Sequence, residues 1–314
     1  MKMAQVFGKI GGDIMPKKRR LYYMSLSDRI MYIFTYILLS LLILVIAYPI
    51  IVVISSSFSS PQAVSNGRVF LWPVEPSVEG YKAVFSHKYI MVGYRNTIVY
   101  TLLGTLISVS VTMIAAYVLS RKDLPFRGIL MGYFVFTMFF GGGLIPSYIL
   151  ITNLKMVNTI WVMIIPGAVS VYNMILARTF IMSNISTELL EAVQVDGCSD
   201  FRYFISIVLP LSKSVIAVIT LFCVVARWNS YFGALIYLND REKLPLQLVL
   251  RDILVINQVT PQDFVNKELI VKKQGLANLL KNSTIVASSL PIIILYPFIQ
   301  KYFVKGVMIG SIKG

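Results

Sequence analysis

Long stretches without a charged residue dominate the pattern of hydrophobic and polar positions along this chain. No charged residue lies between Arg29 and Arg68, and positions 30–54 are almost entirely apolar. A helix needs roughly 20 apolar residues to cross a bilayer, where its backbone must satisfy its own hydrogen bonds. The pattern therefore predicts an all-α integral membrane protein. Its six predicted transmembrane helices cover about 30–54, 96–120, 128–151, 156–177, 205–238 and 282–300.

Lysine and arginine residues cluster at three flanks of these predicted spans. Basic residues in short flanks stay in the cytoplasm, whereas acidic residues have little influence on orientation. Six spans put both termini on the same side, so the sequence predicts cytoplasmic N and C termini. The flanking basic residues are Lys17, Lys18, Arg19, Arg20 and Arg29 before the first span, Arg121, Lys122 and Arg127 after the second, and Lys301, Lys305 and Lys313 at the end.

This topology divides the chain into three predicted parts. Residues 1–29 form a cytoplasmic N-terminal segment, 30–304 form the six-helix transmembrane domain, and 305–314 form a cytoplasmic tail. An outer loop is expected at about 239–281. Its polar, lysine-rich part from Thr260 to Lys281 is predicted to be a surface excursion.

Composition supports the membrane class and limits the chemistry. The chain is 57% hydrophobic and 14% charged, and its mean hydropathy is +0.75. Its net charge of +15 comes from residues at membrane edges, which favours lipid headgroups over nucleic acid as partners. Cys198 and Cys223 are expected to be packing residues without a disulfide, and His87 a surface histidine. We expect this chain to bind no cofactor or metal.

An acidic stretch, EAVQVDGCSDFRYFISIVLP, interrupts the apolar pattern between predicted spans 4 and 5. Ser186 is a suitable helix N-cap, and Gly197 can adopt the left-handed conformation that ends a helix. A second helix, capped by Ser199 or Asp200, would continue to Pro210. Leu189, Ala192 and Val193 are expected on the face opposite the carboxylates. The charged residues are Glu188, Glu191, Asp196 and Asp200, against Arg202.

Two interpretations of this acidic helix are open. It can lie in the membrane interface, or it can dock into a basic groove of a partner protein. Interfacial helices usually carry lysine and arginine toward anionic headgroups, which would repel these carboxylates. The charge therefore favours protein docking.

The spacing within this stretch resembles the EAA loop of ABC importer permeases. Glu191-Ala192-Val193 is followed by Asp196-Gly197, and a nine-residue gap leads to Ile207-Val208-Leu209-Pro210. Valine at 193 and cysteine at 198 replace the usual alanines. The resemblance implies a type I ABC importer permease fold, in which the loop at about 186–200 is a coupling helix seated in an ATPase subunit. Residues implicated in this coupling are Glu188, Glu191, Ala192, Asp196, Gly197 and Pro210.

Other segments resemble the carbohydrate-importer branch of these permeases, related to the maltose permease. They include RWNSYFGALIYLND and the terminal QKYFVKGVMIGSIKG, while FFGGGLIPSY is similar to a group handling plant or algal oligosaccharides, including acidic ones. The resemblance implies a bacterial cell-membrane location and an oligosaccharide substrate. It also implies three kinds of partner: a second, non-identical permease, two ABC ATPase subunits, and an extracytoplasmic solute-binding protein.

ATP hydrolysis is expected to belong to those ATPase subunits, which use ATP and magnesium. No G-x-x-x-x-G-K-[ST] motif occurs in this chain, so it is predicted to be a transport subunit and not an enzyme. Gly142 and Gly143 are expected to form a break at the outer end of span 3, with a close helix crossing as the alternative.

Residues near the outer end of span 5 are the candidates for contact with a sugar. Trp228 or Tyr231 would offer a stacking face, and Asn229 or Arg227 would hydrogen-bond hydroxyls or a uronate carboxylate. The alternative is a membrane-interface tryptophan beside a snorkelling arginine. Gly142 and Gly143 complete the candidate path.

Three other functions remain alternatives to sugar import. An ABC permease for a non-sugar solute would share the coupling loop. A secondary transporter would show repeated halves and acidic residues in mid-span, and a membrane enzyme would need a nucleophile, metal cluster or carboxylate pair. The carboxylates here lie outside the predicted spans, which disfavours the last two.

Overall fold

A computed structural model describes the backbone of residues 25–256 and 267–311, and the side chains of 25–253 and 275–297. Fourteen α-helices and one 3-10 turn, Arg241–Lys243, form this described part. The helices are α1 Leu26–Ser57, α2 Pro61–Ser65, α3 Glu79–Ser86, α4 Lys88–Ser120, α5 Arg127–Phe139, α6 Leu144–Asn153, α7 Trp161–Ile164, α8 Val171–Asn184, α9 Thr187–Val195, α10 Asp200–Leu211, α11 Lys213–Trp228, α12 Phe232–Tyr237, α13 Leu246–Ile256 and α14 Lys267–Ser311.

Three described helices are long and apolar enough to cross a membrane, and two bent helix pairs raise the number to as many as five. The three continuous segments are Leu26–Ser57, Lys88–Ser120 and Gly275–Pro297. The bent pairs are α5 with α6, at 110°, and α10 with α11, at 80°. The predicted all-α membrane class is confirmed, whereas six continuous spans are not seen.

The predicted span over 156–177 is broken in the structure. The short helix α7 ends at Ile164, and α8 starts only at Val171. Pro166 has no N–H to continue a helical ladder, and Gly167 adopts a positive φ of +70°. Ser170 then caps α8 by accepting from the N–H of Asn173. The apolar window concealed this break because Pro166 and Gly167 hardly change its hydropathy.

The final helix is longer than the predicted sixth span. The described backbone is helical from Lys267 to Ser311, so the helix includes part of the segment 260–281 and continues past residue 305. Residues 257–266 and 312–314 lie outside the described part. Leu279 of this helix is buried, and the helix packs against α2 and α3.

Helix α4 is central to the packing, with α8, α11 and α13 against it. Near its C-terminal end, Met113, Ala116 and Tyr117 form an apolar core with residues of α8, α10 and α11. Near its N-terminal end, Ile90 packs with Trp228 of α11 and with residues of α13 and α14. The acidic loop and the end of α11 therefore belong to two separate cores, joined by α4.

Replacing Gly275 with leucine is expected to lower the thermal stability of the protein. A Cβ at this position would overlap the backbone carbonyl of Pro61, so α14 would have to move away from α2. Overpacking of this kind costs about 1–3 kcal/mol. Gly132→Leu is the matched control, because nothing lies within 4 Å of a Cβ there. Equal melting temperatures for the two purified variants would contradict this packing.

Candidate docking loop and translocation cavity

The acidic loop folds as two helices joined by a glycine corner. Helix α9 ends at Val195, and the N–H of Asp196 donates to Ala192 O at 3.2 Å. Gly197 has a φ of +71°, which a residue with a side chain adopts at a cost. Ser199 then caps α10 by accepting from the N–H of Arg202. The helix, corner and second helix predicted from the sequence are confirmed.

The inward face of α9 differs from the prediction. Leu190, Val193 and Cys198 pack against the core around Tyr117, whereas Leu189 and Ala192 lie on the exposed surface with the carboxylates. Val193 thus belongs to the predicted apolar face, but its two predicted companions do not. Residues three positions apart lie on the same side of a helix, so Leu190, and not Leu189 or Ala192, shares the buried face with Val193.

The outer surface of this loop combines charge with exposed apolar side chains. Glu188, Glu191 and Asp196 are exposed, and Val195 is 88% exposed. An apolar tip surrounded by carboxylates is a surface suited to a partner that offers both a pocket and basic residues. The structure brings five of the six coupling candidates, all but Pro210, onto this one surface.

Pro210 lies away from that surface, at the bend between α10 and α11. It has no N–H to donate to a helical carbonyl, and the preceding segment Phe204–Val208 widens into a π-helix. The two helices meet at Ser212 at 80°. Pro210 therefore lies on the path from the loop into α11, apart from the other five coupling candidates.

Arg121 fastens the start of α10 to the end of α4. Its guanidinium donates to Asp200 Oδ1 at 2.6 Å, to Asp123 Oδ2 at 2.6 Å and to the Tyr117 hydroxyl at 3.0 Å. The arginine side chain is only 13% exposed. Sequence reasoning used Arg121 only for orientation, since its partner Asp200 lies 79 positions away.

Local hydrogen bonds keep two carboxylates of this region ionised. The Arg121 guanidinium lowers the pKa of Asp123 below its ordinary value. The N–H of Glu188 and the Ser186 hydroxyl donate to the Glu188 carboxylate, which lowers the pKa of that group. Both side chains carry their negative charge at neutral pH, so the acidic character of this end of the molecule persists.

Replacing Arg121 with glutamine is expected to loosen α10 from α4. A neutral amide cannot hold Asp123 and Asp200 together, and because both carboxylates are largely exposed the loss should be about 1 kcal/mol. Hydrogen exchange of the α10 amides measures the effect, with the exposed neighbour Lys122→Gln as control. Identical exchange rates in the two variants would show that the Arg121 guanidinium does not hold α10 against α4.

A cavity of about 540 Å³ is lined by residues of α4, α7, α8 and α11. Arg227 is the one charged side chain among its described lining residues. Its guanidinium donates to Met163 O at 3.0 Å, Ile164 O at 3.1 Å and Ser108 Oγ at 2.8 Å. The two carbonyls belong to the end of α7, where the chain break leaves them without helical donors.

Gly104 of α4 makes room for this arginine. A Cβ at 104 would overlap the Arg227 guanidinium, so only glycine allows the side chain to cross α4 and reach the α7 carbonyls. These hydrogen bonds use only some of the guanidinium N–H groups, and none of them is to a carboxylate. Among the described residues, no carboxylate forms an ion pair with Arg227. Sequence reasoning selected Arg227 but missed Gly104 and Ser108, which lie on a different helix.

The neighbours of Arg227 occupy different environments. Trp228 is 5% exposed, and its indole N–H donates to Ser288 O at 3.1 Å, so its ring is a packing group and offers no stacking face in this conformation. Asn229 donates to Val225 O of its own helix. Asn229 and Tyr231 line a second cavity, separate from that of Arg227.

Gly142 and Gly143 lie at the sharp turn between α5 and α6. Gly143 has a φ of +83°, and a Cβ there would meet nothing within 4 Å. The predicted break is therefore present, in the middle of the apolar window. No close helix crossing occurs at this glycine within the described part of the chain, and neither glycine lines the Arg227 cavity.

The chain is similar to known transport proteins. Residues 90–260 match the model of a family described as "Binding-protein-dependent transport system inner membrane component". The Polygalacturonan/rhamnogalacturonan transport system permease protein YtcP of Bacillus subtilis (strain 168) is 36% identical over 92% of this chain and 100% of its own length. Protein LplC of the same organism is 36% identical over 85% of this chain and 89% of its own.

A solved structure shows the same fold. It is described as a bacterial ABC transporter involved in the import of the acidic polysaccharide alginate. The similarity has a TM-score of 0.80 at 36% sequence identity, covering 90% of this chain and 99% of the other. The fold and the EAA-like loop at 186–200 identify this chain as an ABC transporter permease of type I. It belongs to the family of binding-protein-dependent transport system inner membrane components.

Proposed function

We propose that this chain forms half of the translocation pathway of a bacterial importer for acidic oligosaccharides. The relatives support the substrate class, because two of them are named for import of a polygalacturonan or of alginate. The observation that carries the proposal is Arg227, a cation without a described carboxylate partner in a cavity about the size of a few sugar rings. Such a group favours a carboxylated sugar over a neutral one.

Six membrane crossings with cytoplasmic termini are part of the proposal. The three continuous segments and the two bent pairs would provide five crossings, and α7 with α8 would be the sixth, broken at Pro166-Gly167. Broken helices in membranes occur where they line a cavity. This is the situation of α7, whose terminal carbonyls are bonded by the cavity arginine.

Coupling to ATP hydrolysis would take place at the acidic loop. We expect two ATPase subunits, using ATP and magnesium, to seat α9 of this chain and of a second, non-identical permease in basic grooves. The Arg121–Asp200 ion pair and the apolar core around Tyr117 would make α9, α10 and α4 move as one rigid unit. An extracytoplasmic solute-binding protein would deliver the sugar, and this chain would break no bonds.

Uptake of labelled oligogalacturonate by cells tests the substrate class. Expression of the whole importer in a strain lacking endogenous uptake should give import that unlabelled oligogalacturonate or alginate oligomers inhibit. A neutral maltodextrin of equal length serves as the matched competitor and should not inhibit. Inhibition by maltodextrin alone would assign the pathway to neutral sugars and overturn the acidic substrate.

A further inference from the structure

A second cavity lies between α13 and α14, beyond the C-terminal end of α11. Its volume is about 540 Å³, and no residue that lines it lines the Arg227 cavity. We refer to it as the α13–α14 cavity. Its polar lining includes Asn229, Tyr231, Gln247, Arg251, Lys281 and Thr284.

The cavity forms because the polar faces of two helices meet. Gln247 and Arg251 are four positions apart on α13, and therefore lie on one face. The opposite face of α13 is apolar and packs into the core through Leu246 and Val249. Lys281 and Thr284 share a face of α14 in the same way, so both helices turn their polar sides toward one space.

The cavity residues of α14 lie in a candidate membrane span. Lys281 and Thr284 lie within the apolar segment Gly275–Pro297. A lysine in such a segment is costly in contact with lipid and is normally found facing a polar pathway. Ser288 and Ser289 extend the polar lining by further turns of the helix.

The charge of this cavity is positive. Arg251 and Lys281 are its two charged lining residues in the described part of the chain. Among the residues whose side chains are described, Asp252 is the one carboxylate paired with Arg251, at 3.9 Å, and it lines a different cavity, beside His87 and Tyr89. This long contact leaves the Arg251 guanidinium able to bind an anion.

The remaining lining groups match a sugar more closely than an isolated anion. The amides of Asn229 and Gln247 and the hydroxyl of Thr284 can bond sugar hydroxyls, and the Tyr231 ring can contact a pyranose face. A uronate unit carries both hydroxyls and one carboxylate, which the Arg251 fork can hold in bidentate fashion.

We propose that the α13–α14 cavity is a second substrate site, which receives one uronate unit of the oligosaccharide through Arg251 and Lys281. The proposal rests on the proposed function above. It adds a second cation-lined site to the Arg227 cavity.

The test uses the complete importer in nanodiscs and proteoliposomes. An oligogalacturonate bearing a photoreactive group should label peptides of α13 or α14 in the wild-type complex. The double variant Arg251→Gln/Lys281→Gln should import oligogalacturonate at least about tenfold more slowly, because it removes both cations that would contact the uronate carboxylate. Arg251→Lys/Lys281→Arg should keep most of the rate, and Lys82→Gln, an exposed cation on α3 outside this cavity, should keep all of it.

The outcomes separate this proposal from the one on which it rests. Wild-type import of oligogalacturonate, with an unchanged rate in the assembled double variant and no label in α13 or α14, would overturn the second site alone. Wild-type import of neutral maltodextrin only would overturn the acidic substrate itself. If the double variant imports normally but loses copurifying anionic lipid, the cations hold a lipid headgroup, and the sugar assignment is wrong.

Discussion

Replacing Glu191 with lysine is expected to abolish most substrate uptake while leaving the protein folded in the membrane. The side chain is exposed on α9, outside the apolar core, so its loss should not disturb packing. A lysine would place a positive charge against the basic groove proposed for the ATPase. Reversal of one charge in such an interface costs several kcal/mol and weakens docking by more than about a hundredfold.

Parallel assays of substrate uptake and of ATP hydrolysis by the reconstituted complex measure the loss of ATPase docking in Glu191→Lys. The expected result is loss of substrate-stimulated hydrolysis, because the ATPase no longer engages the permease. Glu79→Lys is the matched control, since Glu79 is also exposed but lies on α3, remote in sequence from the loop. Equal losses in the two variants would attribute the effect to general charge reversal. Normal stimulation in Glu191→Lys would contradict docking through α9.

Replacing Arg227 with glutamine is expected to lower both acidic-sugar uptake and thermal stability. Two carbonyls at the end of α7 would lose their shared donor, and an unsatisfied buried polar group costs about 1–3 kcal/mol. The cavity would also lose its one described charge. We expect a decrease of more than about tenfold in oligogalacturonate uptake, as for other truncated buried charge contacts.

The variant Arg227→Lys separates the two effects. Lysine keeps the charge but lacks the fork that spans the α7 carbonyls and Ser108, so uptake should recover more than the melting temperature. Lys213→Gln serves as control, because Lys213 lies on the same helix but is exposed. If Arg227→Gln and Arg227→Lys reduce uptake equally, geometry and not charge determines transport, and the acidic-substrate argument fails.

The membrane class and the acidic loop could be predicted from local pattern. Apolar length identifies α1 and α4, and Gly197 marks the corner of the loop, because both signals lie within a few residues. The EAA spacing then identifies the family, which the relatives confirm. Each of these inferences uses neighbours along the chain and requires no knowledge of packing.

The remaining features depend on contacts between distant segments. The apolar windows could not reveal the break at Pro166-Gly167 or the burial of Trp228 under Ser288, 60 positions further on. Nor could they show that Gly104 leaves space for Arg227. The early start of α14 was missed because lysines at 272 and 273 suggest a surface loop, although Leu279 and Gly275 of the same helix pack inward.

Affinity purification of the tagged protein from its native membrane, in mild detergent, tests the central claim most directly. The account predicts that a second permease and an ATPase with a Walker motif accompany the wild-type chain, and that the Glu191→Lys form retains the permease but loses the ATPase. Recovery of the chain alone, or as a homodimer that drives uptake after reconstitution without ATP, would contradict an ATP-driven importer.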